Sequence, residues 1–201
     1  ASQLRQSIET ATYSPPAAAP QPTSPSPGGE TGETPTPANP SGVAGAALPE
    51  DSRPDPAMVR AQILLDRTRF SPGIVDGLGG QNTRQAIAAF EEANDLAVDG
   101  ELDAAVFQRL AAGDSRKVLT DYTITAEDAA GPFIGTVPED IEAMSRLETV
   151  GYANAREALA EKFHMTEALL DALNPGADFA RAGQNIVVAQ TGPDALQGEV
   201  S

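Results

Sequence analysis

The chain has 201 residues, with 29 acidic and 13 basic side chains and a net charge of −16. The acidity is spread along the sequence with no basic stripe, which argues against nucleic acid and anionic membrane surfaces as partners. Cysteine is absent, so disulfides, thiolate metal sites and cysteine nucleophiles are excluded within the chain, and its apolar runs fall far short of the roughly 20 residues of a membrane span.

Residues 1–54 read as a spacer. Twelve of the 17 prolines lie between Pro15 and Pro56, and that stretch holds no Phe and no Leu before Leu48. Such a composition buries too little apolar surface to offset its ordering entropy, so a disordered, extended arm is expected. The opening ASQLRQSIETAT has no basic segment and no apolar stretch of the export-signal type. It fits a cytosolic start, a trimmed chain or a mature end after signal cleavage, and the missing initial Met fits the last two.

Ordered structure is expected from Asp55-Pro56, where Asp as N-cap and Pro in the first helical position mark a helix start. Met58, Ala61, Leu64 and Leu65 then recur at helical spacing, and Ser71-Pro72-Gly73 ends the segment. A Val-Asp-Gly tripeptide follows at 75–77 and recurs at 98–100. In each copy the Asp bonds nearby backbone and the Gly supplies positive φ, so both predict tight turns. After the first turn, Asn82 or Thr83 is the expected cap, with Gln85 reaching back to Asn82 as in a capping box. Ala86, Ile87, Phe90 and Ala93 form the helix's apolar stripe, and Asn94-Asp95 stops it. After the second turn, Asp103 caps a helix whose stripe is Val106, Phe107 and Leu110. The expectation for residues 55–113 is a three-helix module folded by two Asp-Gly turns.

Gly77, Gly80, Thr83, Ala86, Phe90, Leu96, Asp99, Gly100 and Leu110 together resemble the peptidoglycan-binding domain of bacterial cell-wall hydrolases and transpeptidases. The resemblance covers residues 56–112. It differs at Glu91, where Gln is usual, and at Val106-Phe107, where a pair such as Thr-Trp is common. It implies contacts to peptidoglycan from Gly77, Gly80, Gln81, Asn82 and Thr83, with Asp76, Asp99, Gly100, Phe90 and Leu110 as structural residues. The plainer reading of Asp76 and Asp99 is that they only fold the chain.

Ala112-Gly113-Asp114 is a junction. Val118, Thr120, Tyr122 and Ile124 then alternate with polar residues as in a strand, and a second β-rich run, Gln184 to Val188, follows Gly183. Between them Asn154 and Glu157 resemble a capping box ahead of Leu159 and Phe163, and Thr166 caps a helix carrying Leu169, Leu170 and Leu173 that ends at Asn174-Pro175-Gly176. This strand-helix-helix-strand order, with YTIT at 122–125, ALAEKFHMTEALLDALNP at 158–175 and GQNIVV at 183–188, resembles the LysM carbohydrate-binding module over part of residues 118–190. An insert at 126–153 departs from it. Ile141, Met144 and Leu147 make a further amphipathic helix the expectation there, covering the sugar groove. Under this resemblance the second set of candidate contacts is Thr125, Glu127 and Asp128 with Asn174 and Gly176.

The fold class expected is thus mainly α with a small α+β part. A disordered N-terminal arm precedes the three-helix module, a βααβ module carries a helical insert, and residues 191–201 form a disordered tail. The order of the two modules resembles the front half of some bacterial L,D-transpeptidases, whose catalytic cysteine lies in a C-terminal domain missing here. That implies a non-catalytic cell-wall-binding region with peptidoglycan glycan or stem peptide as partner, exported to the periplasm or envelope. The alternative is a scaffold that packs on the catalytic domain without binding sugar. No cofactor and no metal are expected. His164, the single histidine, has no nucleophile or second ligand at a spacing that joins it, and is read as a loop residue. Neighbouring acids such as Glu91-Glu92, Glu127-Asp128 and Glu139-Asp140 point apart on helix or strand and do not form a general acid and base pair.

Overall fold

The computed structural model describes residues 2–13, 53–133 and 151–192. In chain order the elements are α1 (Ser2–Glu9), α2 (Pro56–Asp66), α3 (Gln81–Ala93), α4 (Ala104–Gly113), β1 (Leu119–Thr123), α5 (Ala126–Ala130), α6 (Ala155–Lys162), α7 (Glu167–Leu173) and β2 (Asn185–Ala189). The structure is mostly helical, with one antiparallel pair, β1 with β2, in which Leu119 faces Ala189 and Tyr122 faces Ile186.

Local chemistry starts most of these elements where the sequence places them. The Asp55 carboxylate accepts from the Ala57 N–H ahead of Pro56, and Asp103 accepts from Val106. Asn154 accepts from Glu157, and Thr166 from Leu169. Each satisfies one of the orphan donors of a first helical turn. Helix α3 is the exception. Its N-cap is Gly80, with no side-chain cap, and the expected Asn82–Gln85 box does not form. The helix starts at Gln81, ahead of both expected caps, so Asn82 and Thr83 lie inside its first turn, and the Thr83 hydroxyl accepts from Gln62 instead.

Helix α2 is central, which widens its apolar surface beyond the expected stripe. Val59, Ala61, Ile63, Leu64 and Leu65 are all buried, packed against α1, α3 and α4. Phe90 and Leu110 seal the far side, and the Phe90 ring meets Phe70 edge-on at 6.1 Å.

The helical module and the strand-containing module share one core, and several contacts join them, among them the following three. At the first, Val75 forms a parallel bridge to Met165: its N–H donates to the His164 carbonyl at 2.7 Å, and Thr166 N–H donates to the Val75 carbonyl at 3.0 Å. At the second, the Arg67 guanidinium donates to the carbonyls of Gln190 and Lys117 and to Asp114.

Helix α1 is the third contact and corrects the expectation of a spacer beginning at residue 1. Ile8 is 0 % exposed, and α1 packs on both α2 and α7. The Glu9 carboxylate accepts from the N–H groups of Val118 and Leu119, its carbonyl accepts from Arg60, and Arg5 pairs with Asp121 at 2.6 Å. The composition argument applied to the proline-rich stretch; Ser2–Glu9 contains no proline, and its one deeply buried side chain reaches a core built by both modules.

At the start of the expected insert, Thr125, the residue before it, and Asp128 form a reciprocal capping box that opens α5. The helix expected at Ile141, Met144 and Leu147 lies outside the described residues, as do the proline-rich part of the arm and residues 193–201.

Candidate functional site

The two Asp-Gly turns are built the same way. In the first, Gln62 of α2 reaches over the loop. Its Oε1 accepts from the N–H groups of Asp76 (3.1 Å) and Gly77 (2.8 Å), and its Nε2 donates to Asp76 Oδ1 (2.8 Å), the Leu78 carbonyl and the Thr83 hydroxyl. In the second, Glu91 of α3 accepts at one oxygen from the N–H groups of Asp99 (3.0 Å) and Gly100 (2.9 Å). Each Asp then accepts from the N–H two residues on, Leu78 and Glu101 respectively. A buried helical side chain thus captures the two donors that each turn exposes. Both of these side chains lie almost wholly out of water, where an unmatched donor costs far more than on the surface. A carboxylate at residue 91 supplies the same acceptor as an amide oxygen would.

This construction assigns the glycines. Gly77 has φ +77°, and a Cβ there would stand 2.7 Å from Pro54 Cβ and 2.8 Å from Val59 Cγ2. It is a buried packing position, which replaces the expected ligand contact. Gly100 has φ +72°, with the Arg84 carbonyl 2.9 Å from where a Cβ would be. Gly80 is different: its surroundings are open.

Gly80, Gln81, Asn82 and Thr83 do come together, in a hollow of about 320 Å³ that Pro72, Ile74 and Asp76 complete. Gln81 and Asn82 are exposed, whereas Thr83 is buried with its hydroxyl engaged by Gln62. Ile74, absent from the sequence-based candidates, is 55 % exposed at the rim.

In the second module Thr125, Glu127 and Asp128 share a hollow of about 500 Å³ with Phe133, Tyr152 and Lys162. Asp128 is the anchor. It accepts from the Tyr122 hydroxyl (2.6 Å), the Lys162 ammonium (2.8 Å) and the Thr125 N–H (2.9 Å). Burial alone would raise its pKa, but these donors, Lys162 first, outweigh it and hold the carboxyl well below the usual range. Lys162 is raised in turn: burial opposes its charge, and Asp128 and Tyr122 overcome that.

Asn174 and Gly176 do not line that hollow. The Asn174 side chain is 8 % exposed and clamps α7 to β2: Nδ2 donates to the carbonyls of Leu170 and Val187, and Oδ1 accepts from Val187 N–H at 2.6 Å. Its amide is committed to the fold. Gly176, at φ +77°, turns the chain out of the helix in an exposed position.

His164 sits in the turn between α6 and α7 with φ +53°, and its Nδ1 lies 3.6 Å from Asp66 Oδ1. Among the described residues no three metal-ligating side chains converge, and no helix is long and apolar enough to cross a membrane.

No curated protein matches the chain. The family described as "Putative peptidoglycan binding domain" matches residues 54–110, the segment from the lead-in to α2 through the last buried leucine of α4. A peptidoglycan-binding domain at residues 54–110 supports a cell-wall-binding region.

Proposed function

We propose that this chain is the non-catalytic wall-binding part of a modular cell-wall enzyme of the L,D-transpeptidase type, acting in the periplasm or envelope. The observation that carries the reading is the hollow at Gly80–Thr83 within the segment that matches the peptidoglycan-binding family. Binding there uses hydrogen bonds and apolar contact. Charge attraction to an acidic polymer is unavailable to a chain with a net charge of −16. The strand-helix-helix-strand module is read as LysM-like, with Thr125, Glu127 and Asp128 as its wall-facing residues. Retention of the chain on purified peptidoglycan sacculi, above that of an acidic control protein, is the expected result. Equal retention of the two overturns the reading.

A second reading is favoured by the shared core. Two modules locked through Val75, Arg67 and α1 form a rigid body suited to packing against a catalytic domain and shaping its cleft. Under that reading, adding the chain to its separated catalytic domain changes turnover while sacculi do not retain the chain.

A further inference from the structure

The hollow at Gly80–Thr83 does not end at the edge of the helical module. Its rim residue Ile74 also borders a second hollow of about 240 Å³, whose far wall is Glu161, His164 and Met165 from the other module. The Val75–Met165 bridge holds the two walls in register, since Val75 bonds to His164 and Thr166 through both of its backbone polar groups. Neighbouring side chains on an extended segment point to opposite sides. Val75 is 0 % exposed, so Ile74 faces outward, between the two hollows.

We propose that these hollows are one groove crossing the seam between the modules, and that it takes the N-acetylated glycan strand of peptidoglycan, with Ile74 as the apolar step in its middle. The inference rests on the wall-binding reading above and adds which part of the polymer is held and where. The chemistry of the lining selects sugar over stem peptide. Asp76 and Glu161 supply carboxylates, and Gln81 and Asn82 supply exposed amides; among the described residues His164 is the sole basic side chain lining the two hollows. Carboxylates and amides accept from sugar hydroxyls and pair with acetamido groups. The free carboxylates of a stem peptide meet like charge in the same place. Ile74 offers the apolar contact that an acetamido methyl or a sugar face needs.

The test is a nuclear magnetic resonance titration of the whole chain with N-acetylglucosamine disaccharide, hexasaccharide and a sugar-free stem peptide, with sacculi retention measured in parallel. Shifts from the hexasaccharide at both Gly80–Thr83 and Glu161–Met165 are expected. Ile74→Asp, an exposed change, should weaken hexasaccharide binding about tenfold or more, the equivalent of roughly 1.4 kcal/mol, with the rest of its spectrum unchanged. Glu161→Ala should weaken the hexasaccharide and spare the disaccharide's contacts at Gly80–Thr83. Shifts confined to Gly80–Thr83, unchanged affinity in Ile74→Asp, or a response to the stem peptide alone each overturn the seam groove while leaving wall binding in place. Failure of sacculi to retain the chain overturns the wall-binding reading and this inference with it.

Discussion

Replacing Gln62 by leucine keeps the approximate volume of the side chain and removes every hydrogen bond that it makes across the first Asp-Gly turn. The N–H of Gly77 loses its acceptor in a buried position, and the buried Thr83 hydroxyl loses its donor. Asp76 and Leu78 sit nearer to solvent and rehydrate. A buried polar group left without a partner costs about 1–3 kcal/mol, so the two buried groups together predict a loss of about 2–6 kcal/mol. Urea unfolding followed by circular dichroism measures it. A loss below about 1 kcal/mol, the range of an ordinary surface change, refutes the account of Gln62 as the clasp of the turn. Gln62→Glu sharpens the test. The new carboxylate keeps an acceptor for the two N–H groups but places an oxygen where Nε2 now stands, 2.8 Å from Asp76 Oδ1. Two carboxylates so close share a proton, so the folded-state pKa of the pair is raised. The variant's deficit relative to the parent chain is therefore smallest at low pH and grows as pH rises through that raised pKa; a deficit that grows on acidification contradicts the geometry.

Truncating Ile8 to alanine should cost about 2–4 kcal/mol, as for other fully buried aliphatic residues, and thermal unfolding reads it; an unchanged melting temperature refutes the docking of α1. Asn174→Ala removes the clamp between α7 and β2 and should cost about 2–3 kcal/mol in urea, with no specific loss of glycan binding in the folded fraction. A loss of binding at unchanged stability would return Asn174 to the role of a ligand contact. The depressed carboxyl of Asp128 stabilises the fold above the ordinary carboxylate pKa of about 4 and ceases to do so as pH falls below it. Asp128→Asn should flatten stability against pH in that acid range, as followed by thermal unfolding at a series of pH values; an unaltered slope contradicts the network with Lys162 and Tyr122.

Features that depend on near neighbours in sequence were legible in it. Asp55, Asp103, Asn154 and Thr166 cap helices from within three residues, and both Asp-Gly turns close locally. Features that depend on distant partners were not. Gln62 and Glu91 look like polar interruptions of helical stripes, because the turns that they clasp begin 14 and 8 residues further on. Asn174 reads as a helix exit, and its bond to Val187 across 13 residues becomes visible only once β2 is in place. Helix α1 offered only two apolar side chains, Leu4 and Ile8, and its Glu9 and Arg5 side chains find partners more than 100 residues away. At the candidate site, the exposed Gln81 and Asn82 could be named from the turn, whereas Ile74 gained its place only through the bridge that fixes Val75.

The shared core also decides how a wall polymer meets this protein. Two modules on a flexible linker would grip separate points and gain through effective concentration. Here the Arg67 side chain is 4 % exposed and is bonded to Asp114 and to backbone carbonyls on the approach to β1 and just after β2. A guanidinium held that far from water is stable only with all of these acceptors in position, so it favours a single relative orientation of the modules. Helix α1 braces the same joint from the other side through Ile8 and Glu9. The entropy of aligning two binding surfaces is therefore lost on folding rather than on binding. A groove that crosses such a joint meets a stiff glycan strand already aligned, and its geometry changes when the joint does. Loosening Arg67 should weaken long-strand binding before it affects a ligand confined to Gly80–Thr83.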